Sequence, residues 1–351
     1  MPGIEKSYRV LGLEVVLRAD RERFLHEFHL DFAAFAAAPP KNRKPDLDFA
    51  FREKLGGEID VYLNGSFREE ISHADVPFFY PLILREIFRS SPDYLFFHGG
   101  VSARDGAAFI ISGPPGSGKT TLTMKAVRSG FSFFSDEFCP VEFETNLIHP
   151  FPRSLRIASG TDPHGKKAVR STESLGRPVG RKPVRPRCLV LLDPVFTTDP
   201  RAELIIRTRK EWIDEVAGRL PAGPVRIERF PGSAFGEVII PYEGDIETQN
   251  RLVRQVLGLR DLILEAVFSE LPAIDFSKPP HLEKLSPAKA APLWMSHLYD
   301  RSHPLLAEKP GAALFHTAGI LRNTTCFRMV PGDLNETGKL LLSAWKQSAT
   351  G

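Results

Sequence analysis

The residues Gly113-Pro114-Pro115-Gly116-Ser117-Gly118-Lys119-Thr120 follow the pattern GxxxxGK[ST]. Glycines at these positions let the backbone wrap so that successive N–H groups point inward at a phosphate, and a following helix adds the positive end of its dipole. Lys119 brings a point charge to the β- and γ-phosphates of a bound nucleotide, and the Thr120 hydroxyl is suited to ligate Mg²⁺. Thr121 closes the set. The context is the one this chemistry requires, because the apolar run Ala107 to Ser112 reads as a strand before the loop and Lys119 to Val127 as a helix after it. A chance Gly-rich turn would lack that flanking pair. The motif therefore predicts binding of ATP with Mg²⁺.

Two further groups can reach the same place. Phe97-His98-Gly99-Gly100 ends the apolar run before the loop's strand, and Phe134-Ser135-Asp136-Glu137 ends the run after its helix. In a parallel sheet such ends gather at the carboxyl edge, where ligands bind, so His98, Asp136 and Glu137 are expected to converge on the γ-phosphate. A carboxylate in reach of a hydroxyl suffices as the base for phosphoryl transfer, which is mostly positioning and charge stabilisation. The plainer readings are a core histidine and a solvated strand end. Asp193, after Cys188-Leu189-Val190-Leu191-Leu192, has the form of a metal-holding carboxylate at a strand end and competes with Glu137 for that role; Pro194 also allows a simple turn. Arg153 and Arg156, and likewise Arg207 and Arg209, present guanidinium forks suited to a transferring phosphate, or are surface charges.

The order His98-Gly99, then Lys119 in its loop, then Ser135-Asp136-Glu137 resembles the catalytic core of HPr kinase/phosphorylase and its HPr-kinase-related branch. The segment Asn146-Leu147-Ile148-His149-Pro150-Phe151-Pro152-Arg153-Ser154-Leu155-Arg156 is similar to the Pro-Arg-Pro segment of that branch. The resemblance runs well over 94 to 157 and weakly over 188 to 210. It implies an α/β P-loop kinase core of the HPr kinase and PEP carboxykinase type. It further implies that Asp136 takes the acceptor's proton, that His98 orients or tunes Asp136, and that Glu137 helps hold the metal. The implied activity is ATP-dependent transfer to a Ser or Thr hydroxyl of a small protein or peptide. Glu137 stands where the HPr enzyme carries Asp, and no Arg-Gly-rich signature follows Arg156. Two rivals remain open: a metabolite kinase on the same scaffold, and an ATPase or regulatory module with water as its acceptor.

The elements that must position these residues read as three parts. Residues 1 to 90 form a small α+β lobe, with strands at Tyr8 to Leu17, Leu47 to Phe51 and Glu58 to Leu63, a turn at Gly56-Gly57 and a helix at Pro77 to Arg89. Residues 91 to 275 form the kinase core, with Glu203 to Arg207 and Glu237 to Ile240 extending its sheet. Residues 276 to 351 are helical, opened by Ser286-Pro287 and by the Asp333/Glu336 capping box. Between Ala158 and Arg187 lie eight Lys/Arg and two Asp/Glu, a local +6 against the chain's net +3, so the rest of the chain is at −3 and the basic charge sits in one Gly- and Pro-rich segment. It reads as a flexible flap closing over ATP or receiving an acidic peptide, or as a solvated loop. It lacks the interleaved aromatics of a nucleic-acid surface.

Composition is that of a globular chain, at 42% hydrophobic and 25% charged residues over 351 positions. The opening segment carries charge among its apolar residues, unlike a secretory signal, and no apolar run reaches membrane-spanning length. The well-separated Cys139, Cys188 and Cys326 suit reduced thiols in the cytoplasm and not a zinc site. No membrane or nucleic-acid partner is expected, and a homo-oligomer is compatible with everything above.

Overall fold

The computed structural model describes residues 3–39, 43–114, 116–158, 167–195, 201–220, 224–230, 233–243, 248, 251–252, 255–256, 258–259, 262–270, 274–299 and 310–349. Along the chain these form β1 (Ile4–Val10), β2 (Leu13–Ala19), α1 (Arg23–Phe32), β3 (Leu47–Glu53), β4 (Ile59–Leu63), β5 (Ser66–Ile71) and α2 (Val76–Arg89). There follow β6 (Tyr94–Arg104), β7 (Ala107–Ser112), α3 (Lys119–Arg128), β8 (Ser132–Ser135), β9 (Phe138–Glu142), β10 (Leu155–Ala158), β11 (Lys167–Arg170) and β12 (Arg185–Leu192). Then come β13 (Arg201–Arg209), α4 (Ile213–Gly218), β14 (Arg226–Arg229), β15 (Phe235–Glu243) and β16 (Ile263–Glu270). The last elements are β17 (His281–Leu285), α5 (Pro287–Met295), α6 (Pro310–Leu321), β18 (Thr325–Val330) and α7 (Leu334–Gln347).

This is a mixed α/β protein with several sheets, and it divides into two compact units. The first unit comprises Met1–Ser90 and Thr198–Pro272. Its five-stranded sheet has the order β1-β2-β3-β4-β5, and a separate four-stranded sheet has the order β14-β15-β13-β16. The run Tyr8 to Leu17 is not one strand: Leu11 and Gly12, both at positive φ, turn the chain into the β1–β2 hairpin. β13 and β15 do not extend the nucleotide-loop sheet. They pair with each other, and their buried Leu204, Ile206, Val238 and Ile240 pack on Ile213 and Val216 of α4. The fully buried Asp75 ties the two stretches of this unit together, accepting from the Ser72 N–H at 3.1 Å, the Ala234 N–H at 3.1 Å and the Ser233 hydroxyl. Arg207 and Arg209, candidates for phosphate, are instead ion-paired in this unit with Glu237 and Glu69.

The second unit comprises Ser91–Thr197 and Ala273–Gly351 and holds every other candidate site residue. Its main sheet has the order β17-β18-β12-β7-β6-β8, with β9 also paired to β6. β7, β12 and β18 run parallel, whereas β6 is antiparallel to β7 and β8 is antiparallel to β6. Alternate residues of β7 face opposite cores, as period-2 geometry demands. Ile110 packs with Leu191, Trp294 of α5 and Leu321 of α6, while Phe109 and Ile111 pack with Leu122 of α3 and Leu341 and Trp345 of α7. The Phe97 and Trp294 rings stack at 3.9 Å. The C-terminal stretch is thus no separate helical region: it supplies two strands to this sheet and helices to both of its faces. The expected N-cap Ser286 and the Asp333 cap are present, with Asp333 accepting from the Asn335 and Glu336 N–H groups.

The basic segment is also more ordered than a flap in its described part. β11 pairs with β10, Thr172–Leu175 make a 3-10 turn, and Val179 bridges Phe133 of β8 in parallel. Backbone bonds that its Gly and Pro content does not advertise hold it down.

Candidate nucleotide and phosphoryl-transfer site

The loop of residues 113–118 joins the carboxyl end of β7 to the start of α3. Gly116 and Gly118 have φ of +76° and +88°, conformations that a side chain disfavours. At Gly113 a Cβ would lie 2.7 Å from Leu192 Cβ, so this position needs glycine for a different reason, close approach to β12. Ser117 is buried and donates to the Pro114 carbonyl at 2.7 Å. Pro115 lies outside the described residues. α3 starts with no side-chain cap and no acidic residue in its first turn. Its first turn thus carries no acidic side chain of its own, a helix start that suits an external anion. Lys119, largely buried, donates to the carbonyls of Gly113 and Pro114, each at 2.9 Å, which holds its ammonium across the loop. Thr121, on the first turn of α3, is exposed.

The hydroxyl of Thr120 donates to Asp136 Oδ2 at 3.1 Å. Asp136 and Glu137 form the link between β8 and β9, and both strands pair with β6. His98 is not at a strand end, as the parallel-sheet reading supposed. It lies inside an eleven-residue antiparallel strand, yet the Gly99↔Ser112 register still sets it beside the end of β7. The end of β7 is approached by a different topology. Asp136 reaches it by way of β8, which neighbours β6 and not β7.

The ring of His98 hydrogen-bonds the main chain of Glu137. Burial, then the Lys119 charge, then His297 push its pKa down to about 3, so the imidazole is neutral at neutral pH. The Glu137 contact ties the imidazole to the backbone of the Asp136-Glu137 link. His297, which no motif marked, caps the same place by accepting the His98 N–H at 2.7 Å through its carbonyl.

Glu137 Oε2 accepts from Arg153 Nη1 at 2.7 Å, and Arg153 also lies 5.2 Å from the centroid of the Phe138 ring. Arg153 is largely buried, so this half-exposed carboxylate offsets a charge that is costly to leave unpaired. Asp193 follows β12 as expected, but its carboxylate is held by Arg328 of β18, with Nε at 2.7 Å. Arg328 had no sequence signal beyond an alternation in a late strand. Arg156 sits in β10 opposite Val169; its side chain is not among those described.

Could these residues hold a divalent cation? No group of three or more His, Cys, Asp and Glu gathers as a metal site among the described residues. Thr120 and Asp136 offer one hydroxyl and one carboxylate side by side. A cation that takes few protein oxygens and completes its shell with water and phosphate, as Mg²⁺ does, fits that donor set. The three cysteines are free and buried, and burial raises all three thiols, Cys326 to about 12, which removes them from chemistry here. An apolar cavity of about 220 Å³ lies in the first unit, lined by rings such as Phe24, Phe28 and Phe51. Its two basic lining groups, Arg23 and His73, are both ion-paired with Glu53, so backbone N–H groups at a helix start suit a polyphosphate better. No helix among the described residues is long and apolar enough to cross a membrane.

No protein-family model matches the chain, and no curated protein matches it. Similar solved structures include the HPr(Ser) kinase/phosphatase from Coxiella burnetii, at 14% identity and a TM-score of 0.21, over 47% of this chain and 95% of that one. At this level the site's own geometry has to carry any functional reading.

Proposed function

We propose that the chain is an ATP- and Mg²⁺-dependent phosphotransferase that moves the γ-phosphoryl group onto a Ser or Thr hydroxyl of a small protein or peptide. The observation that carries the reading is the Thr120–Asp136 contact at the open start of α3, with Lys119 across the loop. The loop N–H groups and Lys119 bind phosphate, Thr120 holds the cation that bridges the phosphates, and Asp136 accepts the acceptor's proton. His98 is too weak a base at neutral pH to take that proton, which leaves the carboxylate for it. Arg153, bound to Glu137, the chain neighbour of Asp136, is a source of positive charge for the transferring group.

The same contact favours a second reading of Asp136, in which it holds the cation with Thr120 and takes no proton. Asp136→Asn separates the two. As base, its loss lowers transfer by about 10² to 10⁴ while Mg·ATP affinity changes little. As cation holder, its loss lowers Mg·ATP affinity and transfer together. Transfer at the normal rate in the folded variant removes Asp136 from the chemistry.

A further inference from the structure

The four exposed cations Arg177, Arg181, Lys182 and Arg185 fall within nine residues that contain no Asp or Glu. Elsewhere this surface pairs its arginines freely, as at Arg9, Arg18, Arg21 and Arg43, and Arg187 just beyond packs over Trp345 at 4.3 Å and donates to Ser348. Among the described residues, no ion pair neutralises the four. Arg181 and Lys182 are adjacent and Arg185 lies roughly 10 Å further along an extended chain, so these three repel one another over about one Debye length of 8–10 Å. Something other than their own pairing must hold them in line.

The backbone does so. Phe133 N–H donates to Pro178 O at 2.9 Å, Gly180 N–H donates to Phe133 O at 2.7 Å, and Ile148 and Val184 exchange bonds of 2.8 and 3.0 Å. Pro178, Pro183 and Pro186 fix φ and bias their predecessors toward extended backbone. Val179 bridges Phe133 in parallel, so two and three residues on come Arg181-Lys182 in one chain and Ser135-Asp136 in the other. The strip thus runs toward the same end of the sheet as the proposed base, with its positive charge unspent.

We propose that residues 177–185 are a preformed docking strip for an acidic segment of the acceptor, which lays the hydroxyl-bearing residue next to Asp136. This rests on the phosphotransferase reading above. An acidic peptide is favoured over a nucleic acid because the strip interleaves its cations with Pro, Val and Gly, and has no ring on which a base could stack. Prepaid order lowers the cost of capture, and complementary charge speeds encounter.

The test is equilibrium binding without nucleotide, by fluorescence anisotropy. The probes are a short labelled peptide with one Ser among Glu and Asp residues, its Gln/Asn counterpart, and a single-stranded oligodeoxynucleotide of matching charge. Each is titrated against the wild-type chain and the double variant Arg181→Glu/Lys182→Glu, whose thermal midpoint is checked first. The strip predicts about tenfold tighter binding of the acidic peptide than of the neutral one at low salt, an advantage that shrinks with added salt and is lost in the double variant. Equal binding of the two peptides, an advantage that survives in the double variant, or tighter binding of the oligonucleotide overturns it. Charge-dependent binding with no transfer of phosphate from ATP in a parallel assay counts against the phosphotransferase reading alone, and transfer without charge dependence counts against the strip alone.

Discussion

His98 is the residue whose surroundings most narrow its chemistry. The folded chain resists protonating it down to about pH 3, whereas an unfolded histidine takes a proton near 6.5. Because its pKa is lowered on folding, its contribution is fully present above the unfolded value and is lost as pH falls from there toward the folded value. The slope is about 1.4 kcal/mol per pH unit. Replacing it by His98→Gln should therefore flatten the acid side of the stability profile, making the urea-derived loss between pH 6.5 and about pH 5 smaller by up to about 2 kcal/mol. Parallel profiles for the two proteins would show that His98 is not the buried neutral group described. The sequence marked His98, Lys119, Thr120 and Asp136 because each sits in or beside a spaced motif. It could not say that the imidazole would meet the Glu137 main chain, nor that His297, two hundred residues away, would close over it; such partners are fixed only by the fold.

At the scale of elements, glycines that look like loop markers turn out to be contacts. Gly100 read as the end of a strand, yet β6 continues through it, and a Cβ there would come within 2.0 Å of Thr123 Oγ1 on α3. Gly180 read as part of a loose loop, yet a Cβ there would come within 1.9 Å of the Phe134 ring. Gly180→Ala should force that buried ring aside and cost about 1–3 kcal/mol, as overpacking does, with faster tryptic cleavage after Arg181, the strip's cation not followed by proline. Gly218→Ala, in a helix with open space around it, should cost nothing. Equal melting midpoints and cleavage rates for the two variants would mean that the strip is not held on β8. The strands of 201–270 illustrate the limit of pattern reading. Apolar alternation announced β13 and β15 but neither β14 nor β16, and it carried no information on which sheet they would join, because a buried face looks alike in either.

For the whole molecule, the proposed chemistry falls in one unit built from two distant stretches of chain. β7 and its loop come from one stretch, and the Trp294 and Trp345 that cover the two faces of their sheet come from the other. Everything proposed for this unit depends on a nucleotide phosphate binding at the start of α3. Turnover of γ-labelled ATP with Mg²⁺, followed in the wild-type chain and in Lys119→Ala, tests this most directly, since Lys119 is held across the loop by the loop's own carbonyls. The variant removes a charged donor from the phosphates and should lose at least about 10²-fold in turnover while keeping its fold by circular dichroism. A correctly folded Lys119→Ala protein that turns over ATP at the wild-type rate would contradict the account at its centre.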